Sequence, residues 1–369
     1  EMTSSLVGSE MCIRDRKKSK IKKILVNLTI FILLIILTFS LVLKDQDVSQ
    51  IFSVAAKVKK QYILFAVLAM SIYILGEAVN ITRILKELGE KSKLISNIRY
   101  TLIGFFFSAI TPAASGGQPM EIYYMHKDDI SVANSTLALL MQLCSLQIVT
   151  ITVGTISAVI HFEVLKSGLI YLLILGIILN SSALMLLIIA IFSKRLSEGL
   201  IKFAVKLLKF FRIPNVEKKQ EKLEKELESY QTSAKYIKEH KILMLKTVIT
   251  TVVQMIAYYS VPYWIYLAFG LTEYNIFEIL TLQAVLYATV SGIPSPGAVG
   301  VSEGGFLGIF KNVFPETIIS SAMLLTRGAN FYLFIIISAI IVMISTFREK
   351  KIEKKQMQET EVLTEKSEK

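Results

Sequence analysis

The stretch "TPAASGGQPME" at residues 111–121 and its counterpart "IPSPGAVGVSE" at residues 293–303 decide how this chain folds. Each follows a short apolar segment, at about 100–110 and 276–290, and each ends in an acid at the same distance from its first proline. Proline and glycine interrupt helices. Unwound backbone in lipid survives only where protein or a wet cavity covers its unpaired polar groups. The two stretches therefore predict two broken helices that meet inside a membrane protein.

The composition points to the same class of protein. Of the 369 residues, 53% are hydrophobic, and the mean hydropathy is +0.57. This predicts an all-α polytopic integral membrane protein. The net charge of +12 is explained by lysines and arginines on cytoplasmic loops, so we expect no nucleic-acid partner. Cys12, Cys144 and three scattered histidines form no metal-binding or disulfide pattern, and we expect no metal and no cofactor.

Long apolar runs predict about six full transmembrane helices in addition to the two broken segments. The first run, 24–43, contains no charged residue. The last run is long enough to tilt or to begin in the interface. The six predicted spans are 24–43, 62–82, 132–160, 168–192, 242–269 and 317–347.

The basic residues predict the orientation. Most of the 41 lysines and arginines fall in four clusters, at 14–23, 83–99, 193–242 and 348–369. All four clusters lie on the cytoplasmic side, as the positive-inside rule requires, if each broken segment enters and leaves by the same face. We therefore expect a bacterial-type inner-membrane protein with both termini cytoplasmic. The basic "KVKK" at 57–60 falls outside, and an interfacial helix over 49–61 would relieve that conflict.

With this topology the two broken hairpins enter from opposite faces, as in an inverted repeat whose discontinuous helices form a substrate site near the midplane. The glycines Gly116, Gly117, Gly297 and Gly300 permit tight turns and close approach of the backbone. Helices beginning after them would aim N–H groups at an anion such as a lipid phosphate. The alternative is that both stretches are short loops outside the membrane.

Four ionisable residues fall within or beside the apolar segments: Glu77, Glu121, Glu303 and Arg327. A charge at the bilayer centre costs roughly 3 kcal/mol or more, so each is expected to face a cavity or a partner. Arg327 is the predicted phosphate ligand, because a guanidinium can hold phosphate through two hydrogen bonds. Glu121 and Glu303 are predicted to pair with Arg327 or to bind a cationic headgroup. Glu77 has the alternative of pairing with Arg83 near the cytoplasmic interface.

Two polar segments have less specific interpretations. For His126, Asp128 and Asp129, a solvated turn is favoured over a metal site. In 193–242, the segment "EKKQEKLEKELESY" predicts an amphipathic cytoplasmic helix whose apolar face carries Leu223, Leu227 and Tyr230, with i,i+4 ion pairs Glu221–Lys225 and Lys222–Glu226. It would lie near anionic headgroups, or alternatively bind a soluble synthase or an envelope enzyme.

The blocks "TPAASGGQPME", "IPSPGAVGVSEGG" and "LLTRGANFY" resemble the lysylphosphatidylglycerol synthetase transmembrane region, the flippase-like domain of MprF-type proteins. The resemblance covers roughly residues 20–350. It implies a helical fold with re-entrant elements and a role in handling phospholipids, notably aminoacylated phosphatidylglycerol. In the first block the basic residue that often follows the acid is delayed to His126 and Lys127. The substrate-binding positions implied by the motifs are Pro112, Gly116, Gly117, Glu121, Pro294, Gly297, Gly300, Glu303 and Arg327.

The sequence divides into a leader, a membrane domain and a charged tail. Residues 1–16 resemble a translated adapter sequence, and 17–347 form the predicted flippase-like domain. Residues 348–369 are a charged tail without the apolar content of a core. We therefore expect the chain to lack the soluble acyltransferase domain of full-length relatives and to contain no catalytic residues.

The leading function expected from the sequence is a phospholipid flippase. Its partners would be the bilayer and phospholipid headgroups of the phosphatidylglycerol type. The alternatives are a phosphatidylglycerol lysyltransferase-related enzyme, or a subunit acting with a separate synthase domain, and a scaffold that docks an envelope enzyme through 193–242.

Overall fold

The computed structural model of the protein describes residues 53–111, 114–160, 169–193, 216–293 and 295–348, together with residues 29, 195 and 199. This part of the chain is helical and contains no strand. The first predicted span, 24–43, lies outside the described residues except for Thr29, and so do most of 193–215 and the charged tail.

The helices of the first half are separated by short turns or by segments outside the described residues. In chain order they are α1 (Lys60–Glu87), α2 (Leu94–Ile110), α3 (Gly117–Lys127), α4 (Val132–Ile160), α5 (Leu169–Phe192) and α6 (Val216–Glu239).

The second half repeats the alternation of long and short helices. Its helices are α7 (Lys241–Tyr259), α8 (Val261–Ala268), α9 (Ile276–Val290), α10 (Val301–Ile309) and α11 (Glu316–Arg327). A 3-10 turn, Pro296–Ala298, precedes α10, and a π-helical turn, Gly328–Tyr332, follows α11. The chain remains helical beyond this turn to Arg348.

Five described segments are long and apolar enough to cross a membrane, as the sequence predicts for spans two to six. They are Lys60–Glu87, Val132–Ile160, Ile170–Phe192, Lys241–Ala268 and Glu316–Arg348. The fifth predicted span, 242–269, is divided between α7 and α8, because Pro262 opens a new helix after Ser260. The two predicted short apolar segments are α2 and α9.

One end of the bundle, here called the basic end, holds the turns 88–93 and 128–131 and helix α6, which side-chain hydrogen bonds connect to one another. Asp128, at the end of α3, bonds to Arg99 and Tyr100 near the start of α2. The α2–α3 hairpin therefore opens toward the basic end.

The opposite end, here called the far end, holds Lys59 and the turns 269–275 and 310–315. The backbone N–H of Lys59 donates to the carbonyl of Ala268 at 3.0 Å. The Tyr274 hydroxyl, before α9, donates to the Asn312 carbonyl after α10, also at 3.0 Å. The α9–α10 hairpin thus opens toward the far end, and the two hairpins enter the bundle from opposite directions.

The predicted interfacial helix over 49–61 is wrong in its extent. Its described part is helical only over 53–56, and α1 begins separately at Lys60. The hydrogen bond from Lys59 to Ala268 fixes the chain between the two helices, so that one continuous helix cannot form.

Aromatic packing holds the second hairpin in place. Phe306 of α10 and Phe310, directly after this helix, stack with their ring centroids 4.5 Å apart, and the rings of Phe310 and Phe314 are 6.1 Å apart. Phe310 and Phe314 are almost fully buried. These side chains pack the α9–α10 hairpin against the bundle near the far end, and the break of the hairpin lies deeper in the bundle, where it lines a cavity.

Candidate functional site

A cavity of about 300 Å³ lies where the breaks of the two hairpins meet. Ser108, Ala109 and Ala114 line it from the first hairpin. The wall from the second hairpin is longer and consists of Val290, Ser291, Gly292, Ile293, Ser295, Gly297, Ala298 and Ser302. Both interrupted helices therefore line one cavity.

The backbone of the second break is tightly turned. Gly297 and Gly300 have φ angles of +59° and +87°, and Ala298 between them has +52°. A Cβ on Gly297 would lie 2.3 Å from Cζ of Phe331, so glycine is also required by the close approach of this ring. The prediction that glycines permit a tight turn is confirmed for this break.

The first break uses its glycines differently. The positive φ, +54°, falls on Ala114, whereas Gly116 has φ −90°. A Cβ on Gly117 would lie 2.0 Å from the Ser108 hydroxyl oxygen and 3.0 Å from the Gly104 carbonyl. Gly116 and Gly117 thus allow α3 to pack closely on α2, which is the close backbone approach predicted for them, while the positive φ of this break lies on Ala114.

The centre of the site is an ion pair between Glu303 at the start of α10 and Arg327 at the end of α11. Arg327 Nε donates to Glu303 Oε1 at 2.8 Å, and its Nη2 donates to the Gly297 carbonyl at 3.1 Å. The Tyr332 hydroxyl donates to the same Glu303 oxygen at 3.2 Å. Glu303 is fully buried and Arg327 is 7% exposed, so the charges compensate each other away from solvent.

Each member of the ion pair makes one further contact with the protein. The Arg327 guanidinium carbon lies 4.0 Å from the centroid of the Phe331 ring, a cation–π contact that fixes the plane of the group. Glu303 Oε2 accepts from the Gly300 N–H at 2.7 Å. The N-terminal end of α10 is therefore occupied by the protein's own carboxylate, and Arg327 is the cationic side chain among the described residues that line the cavity.

Glu121 does not share the ion pair. It is 3% exposed, and its Oε1 would lie 2.0 Å from a Cβ at Gly104, so its carboxyl group rests on the backbone of α2. Its Oε2 is buried and has no hydrogen-bond partner among the described residues. Of the two acids predicted to pair with Arg327, only Glu303 forms an ion pair with it among the described residues.

Glu77 lies in α1 and is half-buried. The alternative pairing with Arg83 is wrong. Arg83 Nη1 donates to Asn80 Oδ1 and to the Lys246 carbonyl, both at 2.9 Å, and its Nη2 donates to Thr250.

The remaining predicted positions have simpler outcomes. Pro112 and Pro294 lie outside the described residues, and their roles stay predictions. Asp128 and Asp129 form an exposed turn after α3, as favoured, and His126 lies exposed in the last turn of α3 itself. The part of the chain that the structure describes contains no group of three or more potential metal-ligating side chains.

Helix α6 is packed against the bundle instead of lying free at the surface. Ala234 and Ile237 are buried, and the Tyr230 hydroxyl donates to the Ala190 carbonyl at 2.9 Å. The predicted Glu221–Lys225 pair is present at 2.8 Å on the exposed face. The side chains of Leu223, Lys222 and Glu226 lie outside the described part.

Sequence reasoning missed the tyrosines of the site. Tyr73 of α1, Tyr258 of α7 and Tyr287 of α9 line the cavity. The ring centroid of Tyr258 lies 5.2 Å from that of Tyr73 and 5.3 Å from that of Tyr287. The sequence did carry a signal, because Tyr73, Glu77 and Asn80 recur at i, i+4 and i+7 and so form one polar stripe along α1.

Two comparisons relate this chain to known proteins. Residues 24–338 match the family model described as the lysylphosphatidylglycerol synthase TM region. A "UPF0104 membrane protein" of Archaeoglobus fulgidus is 24% identical over 276 residues, which cover 71% of this chain and 80% of that protein. The family match includes both breaks, Glu303 and Arg327.

Proposed function

Because the chain belongs to the family of the lysylphosphatidylglycerol synthase TM region, we propose that it is a phospholipid flippase. It accepts the anionic or aminoacylated headgroup of a phosphatidylglycerol-type lipid between its two broken hairpins. The acyl tails remain in the bilayer during the movement.

The observation that carries this proposal is the position of Arg327 on a cavity built by both breaks. Arg327, Ser108 from one hairpin and Ser291 from the other line the same space. Discontinuous helices that meet from opposite directions are the arrangement in which transporters bind substrates near the midplane. A volume of about 300 Å³ is at the lower end of the range of small-molecule sites, which suits a headgroup and excludes a whole lipid.

The ion pair suggests how such a headgroup binds. A lipid phosphate entering the cavity competes with Glu303 for the guanidinium of Arg327, since both are anions that accept hydrogen bonds from it. The carboxylate of Glu303 then becomes available for an ammonium group. An aminoacylated headgroup carries both charges, so it can replace each half of the Glu303–Arg327 pair without leaving a buried charge unpaired.

The orientation proposed for this activity places the basic end in the cytoplasm of a bacterial-type cell. That end carries Lys91, Lys93, Arg99 and Lys127 in or beside its turns and the lysines of α6. Such an asymmetry is the usual determinant of membrane topology. The α2–α3 hairpin then opens to the cytoplasm and the α9–α10 hairpin to the outside.

The test is movement of fluorescent phosphatidylglycerol and lysyl-phosphatidylglycerol between leaflets of liposomes that contain the purified protein. Met70 lines the cavity and is 1% exposed, so Met70→Trp should fill the cavity and stop movement. Met343→Trp, at a side chain that is 54% exposed, is the matched control. If both folded variants move lipid as fast as the wild type, or if the wild type does not move it, the proposal is wrong.

A further inference from the structure

Three tyrosines from three different helices line the cavity between the two breaks. Tyr73 lies in the middle of the 28-residue helix α1, Tyr258 near the end of α7, and Tyr287 near the inner end of α9. Tyrosines of membrane proteins are enriched at the two interfaces with water, where the hydroxyl group is hydrated. Three of them around a cavity at the middle of a membrane-spanning helix therefore need a local reason.

The three rings are inclined to one another. The centroids of Tyr73 and Tyr258 are 5.2 Å apart with 48° between the ring planes, and those of Tyr258 and Tyr287 are 5.3 Å apart with 69°. Tyr259 packs against Tyr287 at 5.8 Å and is fully buried, whereas the other three tyrosines are only half-buried. The rings of Tyr73, Tyr258 and Tyr287 thus keep surface that a molecule in the cavity can contact.

These rings hold no cation of the protein. The face of an aromatic ring carries partial negative charge and attracts cations. In the same cavity, the ring of Phe331 already has the Arg327 guanidinium carbon 4.0 Å from its centroid. Among the described residues, no lysine or arginine lies over the ring of Tyr73, Tyr258 or Tyr287. The cavity therefore has one aromatic surface that a protein cation covers and another that a ligand can use.

A cation can bind these rings without disturbing the ion pair of Glu303 and Arg327. Those two charges compensate each other, and Glu303 meets an ammonium only after a phosphate has displaced it from Arg327. An ammonium that enters the cavity loses hydration, which ring faces and tyrosine hydroxyls partly replace. A headgroup with a phosphate and an ammonium can therefore use Arg327 and the rings of one cavity.

We propose that Tyr73, Tyr258 and Tyr287 form a cation subsite that binds the ammonium group of a phospholipid headgroup through the faces of their rings. The choice of a lipid as the ligand rests on the proposed function, but binding can be measured without lipid movement. Tyr258 is the central ring, since it contacts both of the others. The preference for an ammonium-bearing headgroup over phosphatidylglycerol therefore depends on the ring of Tyr258.

The first experiment compares two lipids that differ in the ammonium groups. Purified protein in detergent is mixed with equal amounts of lysyl-phosphatidylglycerol and phosphatidylglycerol, and native mass spectrometry gives the ratio of the two bound lipids. We expect the wild type to prefer the lysyl lipid and Tyr258→Phe to keep this preference, because the ring remains. Tyr258→Leu should lower the ratio at least about threefold. Tyr171→Leu, which removes a ring that is 77% exposed on α5, is the matched control and should keep the wild-type ratio.

A fluorinated ring separates charge on the ring face from packing. Trifluorophenylalanine in place of Tyr258 keeps the shape of the Tyr258→Phe side chain, but fluorine withdraws the negative charge from the ring face. We expect the preference for the lysyl lipid to fall as it does in Tyr258→Leu. The proposal is wrong if the fluorinated protein keeps the preference, if Tyr258→Phe loses it, or if the wild type has none.

Phosphatidylcholine separates the rings from Glu303. Its trimethylammonium group has no N–H to donate to a carboxylate, but it binds aromatic faces. We expect Tyr258→Leu to weaken its binding at least about threefold relative to phosphatidylglycerol. A preference for cationic headgroups that Glu303→Gln abolishes and Tyr258→Leu leaves intact would assign the cation to Glu303 and overturn the proposal.

Lipid movement in liposomes distinguishes failure of the subsite from failure of the proposed function. A wild type that binds lysyl-phosphatidylglycerol through the rings but moves no lipid would refute the proposed function and leave the cation subsite intact. A wild type that moves lipid while its binding preference is independent of Tyr258 would refute the subsite and leave the function intact.

Discussion

Arg327 Nε donates to Glu303 Oε1 at 2.8 Å, and this buried ion pair joins the second break to the last membrane-spanning helix. The two residues are far apart in sequence relative to the length of either helix, and their charges meet beside the cavity. The pair is therefore both a structural link and the group most directly exposed to an entering headgroup.

Arg327→Lys should impair lipid movement much more than it impairs folding. Lysine keeps the charge beside Glu303 but loses the planar fork that holds a phosphate. Loss of one charge-assisted hydrogen bond of about 1.5 kcal/mol corresponds to roughly a tenfold slower rate. The measurement is leaflet exchange in liposomes, with Arg83→Lys as the matched control outside the cavity. A well-folded Arg327→Lys protein with normal exchange would reduce Arg327 to a structural counter-ion.

Glu303→Gln should lower stability by about 3 kcal/mol, because it leaves the buried guanidinium of Arg327 without a compensating charge. Glu121→Gln, at an equally buried acid without an ion pair, should change stability by less than about 1 kcal/mol. Thermal unfolding of the purified proteins in detergent measures both. The double variant Glu303→Gln with Arg327→Met should recover most of the loss. Equal effects of the two single substitutions would argue against the different environments of these acids.

Gly117→Ala should destabilise the first hairpin by about 1 to 3 kcal/mol, since the added Cβ overlaps the Ser108 hydroxyl. Combining it with Ser108→Ala should restore part of the stability. Gly304→Ala is the control, because a Cβ there meets no atom within 4 Å and the position is helical. It should leave stability unchanged or raise it by about 0.5 kcal/mol. A harmless Gly117→Ala, measured by thermal unfolding, would mean that α3 does not pack this closely on α2.

The proposed orientation predicts opposite labelling at the two ends of the bundle. Lys225 of α6 and Lys311 beyond α10 are both exposed, at the basic end and the far end respectively. Single cysteines at these positions, in a background without Cys12 and Cys144, should differ in intact cells. An impermeant thiol reagent should label Lys311→Cys and not Lys225→Cys, and both after permeabilisation. The reverse result would invert the topology.

The sequence by itself determined the class of protein, the approximate spans and the positions of the two breaks. These follow from local chemistry, because apolar runs of sufficient length require a bilayer and because proline and glycine interrupt helices wherever they lie. Glu303 and Arg327 were also identifiable, since a charge in an apolar segment needs a partner regardless of the details of packing.

Only the tertiary structure decided which partner each charge has. Glu121 and Glu303 occupy matching positions in similar stretches, yet only Glu303 meets Arg327, because helix α11 packs against the second hairpin. The role of Gly104 and the positions of the tyrosines around the cavity likewise depend on contacts between helices that are distant in sequence. Local sequence carries no information on such contacts, since they arise from the shapes of whole helices packed against one another.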